Sequence, residues 1–329
     1  MLVTGGAGYV GSHACKALAR AGYLPVVYDN LSRGNAWAVK WGPLERGDLA
    51  NAARLAAILR RHRPFAVLHF AALAYVGESV ADPQRYYRNN VGGTINLLQA
   101  MRETEVHRIV FSSTCAVYGV PKKIPIPENH PQSPLNPYGH SKRVVEQMLS
   151  DSAAAYGLRS VSLRYFNAAG ADPDGEIGEV HDPETHLIPL ALEAAAGSRR
   201  KLTIHGANYP TRDGTCIRDY VHVADLADAH VLALRYMARN RGASAFNLGN
   251  GGGFSVRQVI AAAERVTGRN IQVREGPRRP GDSPVLVGDA GSARRKLGWK
   301  PRYRDLEAII GTAWRWSQSG RANARRKKK

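Results

Sequence analysis

Short apolar runs alternate along the chain with longer segments whose apolar positions recur every three or four residues. The short runs, Leu2–Thr4, Leu24–Tyr28, Ala66–Phe70, Arg108–Ser112 and Ser160–Arg164, predict strands. The longer segments near 10–21, 51–62, 83–104 and 139–156 predict helices. Regular strand–helix–strand alternation implies an α/β fold, because parallel strands need crossovers and helices then cover both sheet faces. The right-handed crossover rule leaves a doubly wound parallel sheet as the natural solution.

The alternation lapses after about residue 168. Glycine, proline and acids mix between Gly170 and Glu184 in a loop-like stretch. Shorter elements follow at Lys201–His205, Ala245–Leu248, Ser255–Thr267 and Leu306–Ser319. This divides the chain into a first domain over 1–168 and a smaller mixed α/β domain over 169–329. Within the second, 219–239 has helical apolar spacing and is expected to pack back onto the first.

Composition narrows the class only slightly. A chain of 329 residues suggests roughly two domains, and 44% hydrophobic with 22% charged residues is ordinary for a globular protein. No apolar stretch approaches the length of a membrane span, and Met1 runs almost directly into a glycine-rich turn, which leaves no room for a signal peptide. The expected compartment is therefore the cytoplasm. Cys15, Cys115 and Cys216 lie far apart with no CxxC pair, which argues against disulfides and against a zinc site. The net charge of +19 is unusual, but six of the positive charges fall in the tail at 321–329, which is expected to be disordered. The others are scattered, so nucleic-acid binding is not expected from them.

The first strand opens into Thr4-Gly5-Gly6-Ala7-Gly8-Tyr9-Val10-Gly11 and then a helix. Gly5 and Gly8 permit a tight turn against a pyrophosphate, Gly11 permits close helix–strand packing, and the free amides of the helix start bind the anion. Asp29 ends the next apolar run, where an acid accepts from adenosine ribose hydroxyls and repels a 2′-phosphate. A Rossmann-type domain that prefers NAD over NADP follows; Arg33, four residues on, can soften the preference. Asp48-Leu49 is a weaker candidate for adenine contact, since an Asp before a helix is also a plain N-cap.

Tyr138 and Lys142 stand four residues apart at the start of a predicted helix and so share a face. A phenol titrates near ~10 and is a poor base at neutral pH unless a nearby cation favours the phenolate. Taken alone, such a pair is commonplace on helix surfaces. Phe111-Ser112-Ser113-Thr114 adds a hydroxyl at the carboxyl end of a predicted strand, where ligands of this fold class bind. Tyr138, Lys142 and Thr114 together make a proton shuttle for an alcohol-to-ketone step.

With these motifs, the sequence resembles the extended short-chain dehydrogenase/reductase family, and within it the UDP-glucose 4-epimerases. The resemblance runs to about residue 317. It includes His69-Phe70-Ala71-Ala72, Tyr86-Tyr87-Arg88-Asn89-Asn90-Val91, Arg164-Tyr165-Phe166-Asn167, Asn208-Tyr209-Pro210-Thr211, Arg218-Asp219-Tyr220-Val221-His222-Val223 and Arg279-Pro280-Gly281-Asp282. It implies NAD contacts from Gly5, Gly8, Tyr9, Val10, Gly11, Asp29, Asn30, Asp48, Leu49, Phe70, Ala71, Ala72, Asn89, Ser112, Tyr138, Lys142 and Tyr165. It also implies a UDP-sugar held by Thr114, Tyr138, Asn167, Leu187, His205, Arg218, Arg279 and Asp282, and epimerisation at carbon 4 through a 4-keto sugar. Two positions depart from the best-known bacterial pattern. Ala74 replaces a lysine that approaches the cofactor, and Leu286 replaces a tyrosine that limits room near the sugar's carbon 2, which leaves N-acetyl tolerance open.

A nucleotide-sugar 4,6-dehydratase is disfavoured, because Cys115 and Ala116 stand where those relatives carry an Asp-Glu pair. Epimerases for UDP-xylose/arabinose, UDP-uronic acids or UDP-N-acetylhexosamines remain as alternatives. A non-catalytic NAD sensor is disfavoured by the complete Tyr138/Lys142/Thr114 set. The resemblance further implies a homodimer through the helices near 83–104 and 139–156.

Overall fold

The computed structural model describes residues 1–279 and 282–319; the basic tail at 321–329 lies outside them. Six strands lead the chain: β1 (Leu2–Thr4), β2 (Val26–Asp29), β3 (Leu44–Arg46), β4 (Val67–His69), β5 (Arg108–Thr114) and β6 (Arg159–Tyr165). Strands β7 (Asn167–Ala169), β8 (Leu202–His205), β9 (Ile217–Arg218) and β10 (Tyr220–His222) follow, then β11 (Ala243–Leu248), β12 (Phe254–Ser255), β13 (Val273–Gly276) and β14 (Val285–Leu286). The central sheet has seven strands in the order β11-β6-β5-β4-β1-β2-β3, and every neighbouring pair is parallel. The expected doubly wound α/β architecture is therefore present.

Ten α-helices are described: α1 (Tyr9–Arg20), α2 (Ala52–His62), α3 (Val76–Ala81), α4 (Pro83–Tyr86), α5 (Gly93–Glu103), α6 (Pro137–Tyr156), α7 (Leu187–Ala195), α8 (Val223–Arg239), α9 (Val256–Thr267) and α10 (Leu306–Gln318). Side-chain alternation along the strands explains how they attach. Leu2, Val26, Val67, Ile109 and Phe111 face α2, α5 and α6, packing on Leu55, Leu59, Leu97, Met101, Val145 and Leu149. The intervening Val3, Val27, Leu68, Val110 and Val161 face α1 and α8, on Leu18, Leu226, Leu234 and Met237. A separate core joins α7, α9 and α10 around Ile188, Leu192, Val259, Ala263, Ile309 and Ile310.

The structure departs from the expected elements in three places. Strand β3 has no apolar run to announce it; its residues are half-buried or exposed at the sheet edge, so burial imposed no pattern. The expected helix over 83–104 contains a widened turn at Tyr87–Gly92, where bonding shifts to i→i+5 between α4 and α5. The expected boundary near residue 168 does not confine the first sheet. β11, placed by sequence in the second domain, pairs with β6 from Ala243↔Ser160 to Leu248↔Tyr165, and α8 leads into it across α1. Among the described residues no helix is long and apolar enough to cross a membrane, and all three cysteines are buried and unpaired.

Candidate active site

The first part of the site is built by the glycine turn between β1 and α1. Gly5 has φ of 71°, and a Cβ there would lie 2.5 Å from the amide nitrogen of Ala71. A Cβ on Gly11 would lie 2.3 Å from the carbonyl oxygen of Gly5, so only glycine lets helix and turn approach. Gly8 caps α1 with no side chain, and the first-turn amides of Tyr9, Val10 and Gly11 have no intrahelical acceptor. This is a cradle for an anion at a helix start, made of backbone alone.

Asp29 lies at the rim of this cradle, 7% exposed. Its carboxylate accepts from the amides of Ala7 at 3.0 Å and Leu31 at 2.8 Å, which fixes its aim. Burial raises its pKa against these hydrogen bonds, which oppose the shift. Asn30 donates to Asp48 at 2.6 Å, joining two expected contacts, while Leu49 is buried beneath and holds its backbone carbonyl toward Asn96. Arg33 is not free to receive a 2′-phosphate as the sequence allowed. It is ion-paired with Glu78 at 2.8 Å, donates to the carbonyl of Asp182 and stacks on Tyr75.

Phe70 and Ala71 both donate their amides to the carbonyl of Thr4, so the segment Phe70, Ala71, Ala72 runs directly beside the glycine turn. Sequence reasoning chose Asn89 in the widened turn, but its neighbour Asn90 is the buried one. Asn90 accepts from the amide of Leu73 at 2.8 Å and donates to its carbonyl at 3.0 Å and to Ser141 of α6 at 3.0 Å. Asn89 donates to Asn90 at 2.9 Å. A side chain that clamps both a loop and α6 is invisible in sequence except as the second letter of an Asn-Asn pair.

The proton-handling residues gather beyond the ends of β5 and β6. Lys142 is buried and donates to the carbonyl of Ser112 at 2.8 Å, with Nζ 5.9 Å from the Tyr138 ring centre. Burial pushes its pKa down to about 7, with Glu146 acting in the opposite sense. The Tyr138 phenol is pushed well above its ordinary value by burial first and by nearby Tyr165, while a hydrogen bond with Thr114 draws it down. Ser112 and Tyr165 share a 2.6 Å hydroxyl hydrogen bond. Thr114, Tyr138, Lys142, Ser112 and Tyr165 are thus brought together. Desolvation of the Tyr138 phenol thus outweighs the Thr114 hydrogen bond that draws its pKa down.

The remaining expected residues spread over the second half of the chain. Asn167 opens β7, its amide bonded to the carbonyl of Asp219, and Leu187 is the first residue of α7. His205 ends β8 opposite Gly276. Burial lowers its pKa, and Arg279 adds to the effect. Arg218 pairs with Asp282 at 2.6 Å, so two of the expected contacts are bonded to each other. Arg279 is exposed, and its carbonyl accepts from Asp282; Pro280 and Gly281 lie outside the described residues. Leu286 pairs with Arg218 through β14 and β9 and packs on the cluster of Cys115, Val117, Tyr118 and Phe166. Ala74 is exposed. Asp219, next to Arg218, is fully buried and accepts from the amides of Asn250, Gly251 and Gly288, tying three segments beside the site together.

A turn that excludes a Cβ at Gly5 and Gly11, an acid at its rim, and a tyrosine–lysine–threonine group lie at the same carboxyl end of the parallel sheet. The sequence model of the NAD dependent epimerase/dehydratase family matches residues 1–249. The chain belongs to this family. The epimerase/dehydratase chain is 54% identical to the UDP-glucose 4-epimerase of Rhizobium meliloti strain 1021 over 316 residues, 96% of each protein. Among solved structures it is similar to the UDP-glucose 4-epimerase of Brucella ovis in complex with NAD, at 55% identity and a TM-score of 0.93. That match covers 95% of this chain and 97% of the other. It is also similar to the UDP-glucose 4-epimerase of Bifidobacterium longum in complex with NAD+ and UDP, at 36% identity and a TM-score of 0.93 over 98% of both chains.

Proposed function

We propose that this protein is an NAD-dependent UDP-glucose 4-epimerase that interconverts UDP-galactose and UDP-glucose. The observation that carries the reading is the gathering of Tyr138, Thr114 and Lys142 beside the glycine cradle, in a chain 54% identical to a UDP-glucose 4-epimerase over 96% of its length. The cradle suits a dinucleotide, since backbone amides of Tyr9, Val10 and Gly11 meet the pyrophosphate and Asp29 meets the ribose. NAD, when bound, supplies reversible oxidation at the sugar's carbon 4.

Tyr138 takes the proton of the 4-hydroxyl and returns it to the 4-oxygen once the 4-keto sugar has presented its other face. Thr114 shares that hydrogen bond, and Lys142 places a positive charge near the phenol without a carboxylate to absorb it. Arg218, Arg279 and Asp282 belong to the diphosphate and uridine side, with Asn167, Leu187 and His205 completing the substrate wall. The hexose must stay loosely held, since it turns over between the two half-reactions. In the same proposal, residues 1–168 with α8 and β11 form the cofactor unit, and the rest of the chain forms the substrate unit. We place the protein in the cytoplasm as a homodimer through the helices of 83–104 and 139–156, a pairing supported by exposed Ile95 and Val144 on α5 and α6.

The test is product analysis of purified protein with UDP-galactose and no added cofactor. UDP-glucose is the expected product, and Tyr138→Phe is expected to lose about 10²–10⁴-fold in kcat while retaining bound NAD. Turnover near wild type in that variant, or no product from the wild type with NAD added, overturns the reading.

A further inference from the structure

We propose that Glu179, His181, Glu184 and His186 form a binding site for one late first-row divalent cation, with zinc the best fit. All four lie in the segment between β7 and α7, and one ligand atom from each lies within 4.8 Å of all the others. Nδ1 of His181 is 3.0 Å from Oε1 of Glu179 and 3.6 Å from Oε2 of Glu184. Nδ1 of His186 is 2.9 Å from Oε1 of both glutamates. Ligand atoms on a tetrahedral centre with zinc-like bond lengths stand about 3.4 Å apart, close to this spacing.

Hydrogen bonding accounts for only part of the arrangement: Nδ1 of His186 shares a 2.9 Å hydrogen bond with Oε1 of Glu184. Nδ1 of His181 is enclosed and makes no hydrogen bond, although a carboxylate oxygen stands 3.0 Å away. Two carboxylates share this small volume, and the charged partners they meet among the described residues are the two histidines. The neighbouring acidic cluster shows the contrast. Asp172, Asp174 and Glu176 surround Nζ of Lys16 at 2.6, 2.8 and 2.6 Å, so an ammonium already occupies their centre. Among the described residues no lysine or arginine plays that part for Glu179 and Glu184.

The surroundings fix the four side chains as an outer shell does for a metal. Oε1 of Glu184 accepts from the amides of Thr185 at 2.7 Å and His186 at 2.9 Å, which leaves Oε2 facing His181. The carbonyl of Glu179 accepts from the Trp316 indole, and Arg33 holds the carbonyl of Asp182. The rings of Tyr9 and Tyr75 meet His181 edge-on at 6.1 and 6.0 Å and shield it from water. Two imidazole nitrogens with two carboxylate oxygens suit zinc better than calcium or magnesium, which prefer all-oxygen sets. The cysteine spacing argues against a zinc site, but the loop-like stretch carries a Glu-x-His-x-x-Glu-x-His spacing over 179–186 that needs no cysteine.

A cation here would cross-link the segment and set the start of α7, since Leu187 directly follows His186. It would act as a structural site, since none of its four residues belongs to the Tyr138, Lys142 and Thr114 group. Its effect on UDP-sugar KM rests on the proposed function, but its existence does not.

The experiment strips the full-length protein with a chelator, adds Zn2+, and measures bound metal after desalting and affinity by competition with a chromophoric chelator. About one equivalent of zinc per chain is expected, with affinity at least about tenfold weaker in His186→Ala and in Glu184→Gln. His186 is half-exposed, so its loss leaves the core intact. Co2+ in place of zinc is expected to give the visible absorption of a four-coordinate centre in the wild type alone. Uptake below about a tenth of an equivalent, or equal affinity in both variants, overturns the proposal whether or not the protein epimerises UDP-galactose.

Discussion

Two cations are buried near the carboxyl end of the same sheet. Arg164 on β6 is surrounded by acceptors. Its Nε lies 3.0 Å from both oxygens of Glu146, Nη2 lies 2.5 Å from one of them, and Nη1 reaches Tyr118 and the carbonyl of Glu128. Lys142 on α6 has the carbonyl of Ser112 and aromatic faces, and among the described residues no carboxylate forms an ion pair with it. Both lie on elements that also carry Glu146 or contact it, so the difference is one of aim, not supply. The charge that holds structure is neutralised where it stands. The charge that the proposed function assigns to the reaction has a carbonyl but no ion-pair partner, and desolvation draws its pKa to about 7.

If that contrast is right, removing each cation has opposite consequences. The largest expected effect is on stability in Arg164→Met. Glu146, whose side chain is 9% exposed, is then buried without its partner, at a loss of about 3–5 kcal/mol in denaturant unfolding. The double variant Arg164→Met with Glu146→Leu should recover most of the loss, since an apolar pair of similar volume replaces the ion pair. No recovery would place the damage in Tyr118 and the Glu128 loop instead.

A smaller effect, and on activity in place of stability, is expected for Lys142→Met. Epimerase turnover should fall about 100-fold, while unfolding stability at neutral pH stays within about 1 kcal/mol of wild type or rises. A loss of stability matching that of Arg164→Met would erase the distinction.

The smallest effect is a slope. The folded pKa of Lys142 lies below its unfolded value of 10.5, so between about pH 7 and 10 the unfolded chain holds more protons. The burial penalty is fully present below the folded pKa and is relieved as pH rises. Wild-type stability should therefore climb relative to Lys142→Met over this window, by at most about 1.4 kcal/mol per pH unit. A flat difference between the two proteins from pH 7 to 9 would show that Lys142 is not strongly desolvated.

Contiguous motifs were the legible part of the site. Gly5, Gly8 and Gly11 stand three positions apart, and their roles follow from turn geometry that is local to the chain. Tyr138 and Lys142 are one helical turn apart, so their common face needed no tertiary knowledge. The resemblance names Asn89, whereas the clamp made by its neighbour Asn90 is not legible in sequence, because which of two adjacent asparagines is buried depends on the widened turn that carries them. The Arg218–Asp282 pair spans 64 residues and is closed by β9 and β14, strands too short to announce themselves. Arg33 read as a free basic residue until Glu78, 45 residues away, was seen to take it.

The sequence by itself determined the alternating strands and helices, the glycine turn with its acid, and the spacing of tyrosine and lysine. Each of these is set by side-chain period or by the backbone freedom of residues near one another in the chain. Tertiary structure alone decided that β11 returns to the first sheet, that Arg164 is neutralised while Lys142 is not, and that two glutamates and two histidines converge on one point. Those outcomes depend on which distant groups meet in a volume that excludes water, and desolvation there acts on each charge according to the partner it finds.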